Sequence, residues 1–220
     1  MKEPAWSHSA LQTFEQCPRK YYYLKVAKSV KEVPSDAMTW GKTVHTHLEQ
    51  RIRDGTPLPA ILAPHEPIAA KIAASKGTVL VEQQLALTRD LQPTSWFDKS
   101  VWLRCILDVA IIGKAKAVIL DWKTGKRKFE NDQLKLFAIT TFHHHPEIDT
   151  VDTGFVWLKE NKIDKETFTR EQLPELWQYF IPRVERLNLA FEHDRWPAKP
   201  SGLCGWCPVG KDKCEFWKQR

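Results

Sequence analysis

Val101-Trp102-Leu103-Arg104-Cys105-Ile106-Leu107-Asp108-Val109-Ala110-Ile111-Ile112, then Gly113-Lys114-Ala115, then Lys116-Ala117-Val118-Ile119-Leu120-Asp121-Trp122-Lys123, is the stretch on which the fold turns. Two runs of β-branched and apolar residues flank a glycine turn, which predicts an antiparallel strand pair. A two-residue loop at Lys114-Ala115 sets Asp108 directly opposite Asp121. A Gly113-Lys114 loop, with glycine first as a type II′ turn prefers, leaves them diagonal on one face. The two side chains are then about 5 Å or about 7–8 Å apart. Like charges repel at either spacing, and a carboxylate interrupting an apolar run costs several kcal/mol unless it finds a partner. A divalent cation between them removes the conflict. Lys123, two residues beyond Asp121, shares its face of the strand. The pattern reads as a metal site with an ammonium group beside it.

Working outward, Thr78–Thr88 and residues 99–112 read as strands, 116–123 as a third, and 150–159 as a fourth. Helices are expected over 8–28, capped by Ser7 or Ser9 and bent at Pro18, and over about 37–53, capped by Asp36. Residues 54–67 hold four prolines and read as a loop or short helix; 68–76 is helix-like. A helix over about 131–144 begins at Asn131 or Asp132, and a long one covers about 170–193. Glu82, a polar intrusion in the first strand, reads as structural. His143-His144-His145 reads as a surface tract, and Tyr21 to Tyr23 as packing residues. The order of elements gives an α/β fold: a mixed sheet flanked by helices.

The chain has 220 residues, 42% hydrophobic and 27% charged, ordinary for a globular protein with one sizeable core. A net charge of +6 and a pI near 9.0 favour a polyanionic partner. Met1–His8 lacks the apolar core of a signal peptide and no window approaches a membrane span. The cytoplasm is the expected compartment, and disulfides are not expected there. Cys204, Cys207 and Cys214 follow a C-x2-C-x6-C spacing that suits metal ligation. Cys17 can supply a fourth thiolate, and Cys105 reads as a buried apolar residue. The spacing fits zinc and iron–sulfur equally.

Asp108, then Asp121-Trp122-Lys123-Thr124-Gly125, then Gln133 resembles the PD-(D/E)XK nuclease superfamily, in particular its RecB-type branch. Gly41-Lys42-Thr43-Val44-His45 resembles the branch's Gly-x-x-x-His setting. Both ends match as well, through Ser9 to Tyr23 with Cys17-Pro18, and through Cys204-Gly205-Trp206-Cys207-Pro208 with Cys214. The resemblance runs from about residue 7 to 217. It departs at Cys105, where the family often has glycine.

The resemblance implies a restriction-endonuclease-like core over about 38–193. N-terminal helices (about 7–30) and the C-terminal cysteine loop (194–220) would form a 4Fe–4S subdomain within one nuclease domain. The cluster ligands would be Cys17, Cys204, Cys207 and Cys214, with zinc as the alternative. It further implies metal-dependent DNA hydrolysis, with His45, Asp108, Asp121 and the Trp122 carbonyl holding Mg2+ or Mn2+. Lys123 and Gln133 would complete the catalytic set, and Arg19, Lys126, Arg127 and Lys128 would contact phosphates. The expected activity is that of an exonuclease on single-stranded or frayed DNA ends, resembling the nucleases of CRISPR adaptation and viral recombination. A helicase, recombinase or integrase partner is compatible with the small size. An endonuclease or the nuclease subunit of a repair complex is the alternative. A non-catalytic Fe–S or zinc DNA-binding module is the alternative from another class, and the presence of Asp108, Asp121 and Lys123 together speaks against it.

Overall fold

The structure is a computed structural model and describes residues 5–128 and 130–218. The first four residues of the stretch read above for a signal peptide lie outside the described residues. Backbone proximity divides the chain into two units. One comprises the residues up to Pro34 with those from Gln178 onward; the other is Ser35–Trp177.

The Ser35–Trp177 unit is built on six strands: β1 (Thr78–Thr88), β2 (Pro93–Thr94), β3 (Val101–Ile112), β4 (Lys116–Lys123), β5 (Thr150–Trp157) and β6 (Lys162–Thr169). Their order is β2-β1-β3-β4-β5-β6. All neighbours are antiparallel except β4 and β5. A parallel pair needs a crossover, and α5 (Asp132–His144) provides it. Two strands were not expected. β2 is two residues long and carries a proline, too short for periodicity to reveal. β6 reads Lys-Ile-Asp-Lys-Glu-Thr-Phe-Thr, a charged edge strand; edges are kept charged because they must resist pairing with other chains, and that erases the apolar signal.

α3 (Asp36–Asp54) is capped by Ser35, whose side chain accepts the Met38 N–H; Asp36 is instead the first helical residue, where its charge suits the positive helix end. Val44, Leu48 and Ile52 fall at four-residue intervals and form one buried stripe. With Leu62, Ala69 and Ile72 on and before α4 (Glu66–Ala73), they pack against Val109, Trp122, Val156 and Leu158 of the sheet region. Alternation along β4 sends Asp121 to the opposite face from Trp122, towards α5, where Gln133 meets it.

The other unit opens with α1 (His8–Gln16), capped by Ser7. The expected single helix over 8–28 breaks at Cys17, whose backbone is extended (φ −164°, ψ 111°). The residue before proline is pushed out of the α region, and Pro18 then starts the short α2 (Pro18–Tyr21) and a π-helical turn over Tyr22–Val26. Tyr21 is fully buried, stacked on Trp196 and edge-on to Phe14, so it packs as expected. Arg183 clamps Glu15 through Nε and Nη2, at 2.7 and 2.6 Å. α6 (Leu173–Glu192) is the last long helix. Among the described residues no helix is long and apolar enough to cross a membrane.

Candidate active site

The β3–β4 hairpin closes around Lys114-Ala115, with the Gly113 N–H bonded to the Lys116 carbonyl at 2.9 Å. Its ladder runs from Ile112↔Ala117 to Val109↔Leu120. One further step in this register sets Asp108 opposite Asp121, the directly opposed arrangement of the two considered from sequence. The strands part at that step. In a continuing ladder the Trp122 N–H would reach the Leu107 carbonyl; it donates instead to Asp108 Oδ2 at 2.8 Å. The Asp108 carboxylate fills the gap between two diverging strands.

α3 brings His45 to the same place. A Cβ on Gly41 would lie 3.1 Å from Thr124 Oγ1, so glycine one turn before His45 lets the helix press against the residue that follows Lys123. His45 Nε2 is 2.9 Å from the Trp122 carbonyl oxygen and Nδ1 is 3.3 Å from Asp108 Oδ2. Glu49, the ordinary surface partner one turn on, pairs with Arg53 instead. Burial disfavours the imidazolium, but Asp108, Asp121 and the Trp122 carbonyl outweigh it and raise the His45 pKa.

Glu82 joins this group, correcting its reading as structural. β1 pairs with β3 through Val81↔Val109 and Gln83↔Leu107, leaving Glu82 unpaired beside Asp108. Its φ of 50° lies in the left-handed region, which costs a non-glycine residue about 1–3 kcal/mol. Ligand atoms of His45, Glu82 and Asp108 lie within 4.8 Å of one another. Burial, then the Asp108 and Glu49 charges, push the Glu82 carboxyl above its ordinary pKa.

Asp121 takes a different set of partners. It is only 4% exposed; Oδ1 accepts from Gln133 Nε2 at 2.9 Å. Oδ2 lies 2.7 Å from Lys123 Nζ, an ion-pair distance without hydrogen-bond alignment. Lys123 Nζ donates to Gln133 Oε1 at 2.8 Å. Gln133, in the first turn of α5, thus bridges carboxylate and ammonium. Burial and the Asp108 charge push the Asp121 pKa up to about 7, against the pull of Lys123 and His45. The structure therefore groups Asp108 with His45 and Glu82, and Asp121 with Lys123 and Gln133, on adjacent strands.

The remaining candidates divide. Arg127 forms a bidentate ion pair with Asp164, and Arg19 pairs with Glu215. Lys126 and Lys128 are exposed. Cys17, Cys204, Cys207 and Cys214 all line one cavity of about 190 Å3. Backbone N–H groups of Lys199 and Ser201 point at the sulfurs of Cys17 and Cys204. Cys105 is buried in a regular stretch of β3. The histidine tract is not simply surface: His143 Nε2 accepts from Trp177 Nε1 and His144 Nε2 meets the Ala86 carbonyl.

The family model of the PD-(D/E)XK nuclease superfamily matches residues 5–212. The chain belongs to that superfamily, whose nucleases use divalent metals. A protein of Eubacterium rectale, provisionally assigned as an exonuclease, has a similar crystal structure, with a TM-score of 0.56 and 14% identity over 92% of this chain and 86% of that one. SSO0001 is similar at a TM-score of 0.50 and 12% identity, covering 100% of this chain and 90% of that one. At such identities the likeness shows the shared fold. No curated protein matches the chain significantly in sequence.

Proposed function

We propose that the chain is a divalent-metal-dependent deoxyribonuclease that degrades DNA from ends. The observation that carries this reading is the grouping of His45, Glu82 and Asp108, whose ligand atoms lie within 4.8 Å of one another, with His45 also at the Trp122 carbonyl and the Asp121–Lys123 pair on the adjacent strand. The donor set fits a hard cation: carboxylate and carbonyl oxygens with one imidazole, a mixture Mn2+ accepts more readily than Mg2+. The buried Asp121 Oδ2 lies 2.7 Å from the Lys123 ammonium, so positive charge is already held at the edge of this group. His45, Glu82, Asp108, Asp121 and the Trp122 carbonyl would hold the ion. When bound, it supplies phosphate polarisation, a more acidic water and stabilisation of the leaving oxygen. Lys123 offers its positive charge where the pentavalent phosphate becomes more negative. Gln133 fixes Lys123 and Asp121 relative to each other through its two amide ends. Lys126 and Lys128 supply phosphate contacts at the loop after β4, while Arg127 anchors that loop to Asp164.

The cysteine cavity supports a 4Fe–4S cluster held by Cys17, Cys204, Cys207 and Cys214. Zinc is the alternative occupant, since the cysteine spacing fits both. The cluster would join the N-terminal helices to the C-terminal loop and restrict the unfolded chain. Anaerobically purified protein is expected to be brown, and Cys214→Ala to bleach it and lower its melting temperature by several degrees. Unchanged colour and melting point would remove Cys214 from the ligand set.

The activity is tested on end-labelled single- and double-stranded DNA with circular controls, in Mn2+ and in chelator. Linear molecules should shorten from their ends only with metal, and circles should survive. Nicked circles would overturn the exonuclease reading; cleavage undiminished in Asp108→Ala would overturn the site.

A further inference from the structure

We propose that Phe155 is a positioning residue for Lys123, holding the ammonium by its ring face. The inference rests on the catalytic reading of Lys123. In the parallel β4–β5 ladder Phe155 is the register partner of Asp121, so its side chain shares a face with Asp121 and, two residues on, with Lys123. Lys123 Nζ sits 4.5 Å from the centre of the Phe155 ring. The ammonium is thus bounded on three sides, by Asp121 Oδ2 at 2.7 Å, Gln133 Oε1 at 2.8 Å and the ring. An oxygen in the third place would take up another N–H and add charge. A ring attracts the cation through its quadrupole without taking up an N–H as a third oxygen would, which leaves a donor for a phosphate or a water.

The ring is braced from behind. Trp157 packs against it, with centroids 5.9 Å apart at 69°, and Trp157 Nε1 donates to Asp164 Oδ2 at 2.7 Å. Asp164 is itself the register partner of Phe155 on β6 and holds Arg127. Phe155 is only 3% exposed and would serve as an ordinary core aromatic wherever it stood in β5. What sets it apart is the cation on its face. Asp121 is the Lys123 partner with a second use, since its carboxylate is also drawn to a metal. Once that oxygen is occupied, Gln133 and the ring are the contacts that keep Lys123 in place.

The test exchanges Phe155 for mono-, di- and trifluorophenylalanine, which preserve shape and apolarity while draining the ring quadrupole. The expected result is a stepwise fall in kcat, reaching about tenfold at the trifluoro ring, with KM and melting temperature unchanged. A flat kcat across the series reduces Phe155 to packing and overturns the proposal. A second readout needs no catalysis. In metal-free protein the Lys123 side-chain methylene protons next to nitrogen should resonate upfield through the ring current, and return to ordinary positions in Phe155→Leu. Ordinary shifts in the unsubstituted protein overturn the proposal even if the nuclease is active. An upfield shift in a protein that cleaves nothing would sustain the contact while removing the activity it was meant to serve.

Discussion

Replacing Asp121 by Asn is expected to abolish metal-dependent cleavage, by about 10³-fold or more, and at the same time to stabilise the metal-free protein above neutral pH. The two effects share one cause. Asp121 is buried beside Asp108, and its folded-state pKa is raised to about 7, against an ordinary value near 3.8. For a carboxyl raised in this direction, the unfolded chain releases its proton first. Stability is intact below about pH 4 and is lost as pH rises to about 7, after which the loss is complete. Three units at about 1.4 kcal/mol each set an upper bound near 4 kcal/mol, and a gain on the order of 2 kcal/mol is expected for Asn at pH 8, several degrees in Tm. At pH 5 most of the difference should be gone. Melting curves in chelator at the two pH values check it: an Asn variant no more stable than the parent at pH 8 would mean that Asp121 is not a strained, metal-awaiting charge. Adding Mn2+ should reverse the order, because only the parent recovers binding energy.

Much of this site was legible in the sequence because its core is local. Asp108 and Asp121 sit on two strands joined by a two-residue turn, so alternation and turn length alone set them against each other. Lys123 followed from period two. His45 and Gln133 are 63 and 25 residues from Asp108 and Asp108's own strand can say nothing of them; they were reached through the family resemblance, not through pattern. The structure adds the reasons: Gly41 lets α3 close on Thr124, and Gln133 spans Asp121 and Lys123. What pattern missed has physical causes too. β6 carries charges because it is an edge, and β2 is too short to alternate. Arg127 and Arg19 pair with Asp164 and Glu215, partners that a basic run in the sequence conceals. Glu82 stood out as a polar intrusion in the first strand but read as structural, because nothing local ties it to Asp108, 26 residues on. The signal was present as a charge heading the polar break Glu82-Gln83-Gln84 between two apolar stretches, but only the positive φ and the missing pair with Asp108 give it meaning.

That conformation makes Glu82 the second decisive position. A glutamate held at φ 50° inside a strand is unfavourable locally, and its carboxyl is further strained by burial and by Asp108. Such a residue persists when something else depends on it. Glu82→Gly tolerates the left-handed backbone and removes the charge; Glu82→Gln keeps the length and removes the charge alone. Both are expected to be at least as stable as the parent in chelator, and both to lose about 10²-fold or more of the Mn2+-dependent rate together with most of the Mn2+-induced rise in Tm. The neighbouring Val81, in regular register with Val109 and packed on the core beneath α3, supplies the contrast. Val81→Gly should cost about 2 kcal/mol through lost burial and backbone entropy, while leaving the response to Mn2+ intact in whatever remains folded. If Glu82→Gly instead destabilises the chelated protein as Val81→Gly does, the residue is part of the strand's packing. His45 and Asp108 would then have to hold the cation with Asp121 alone.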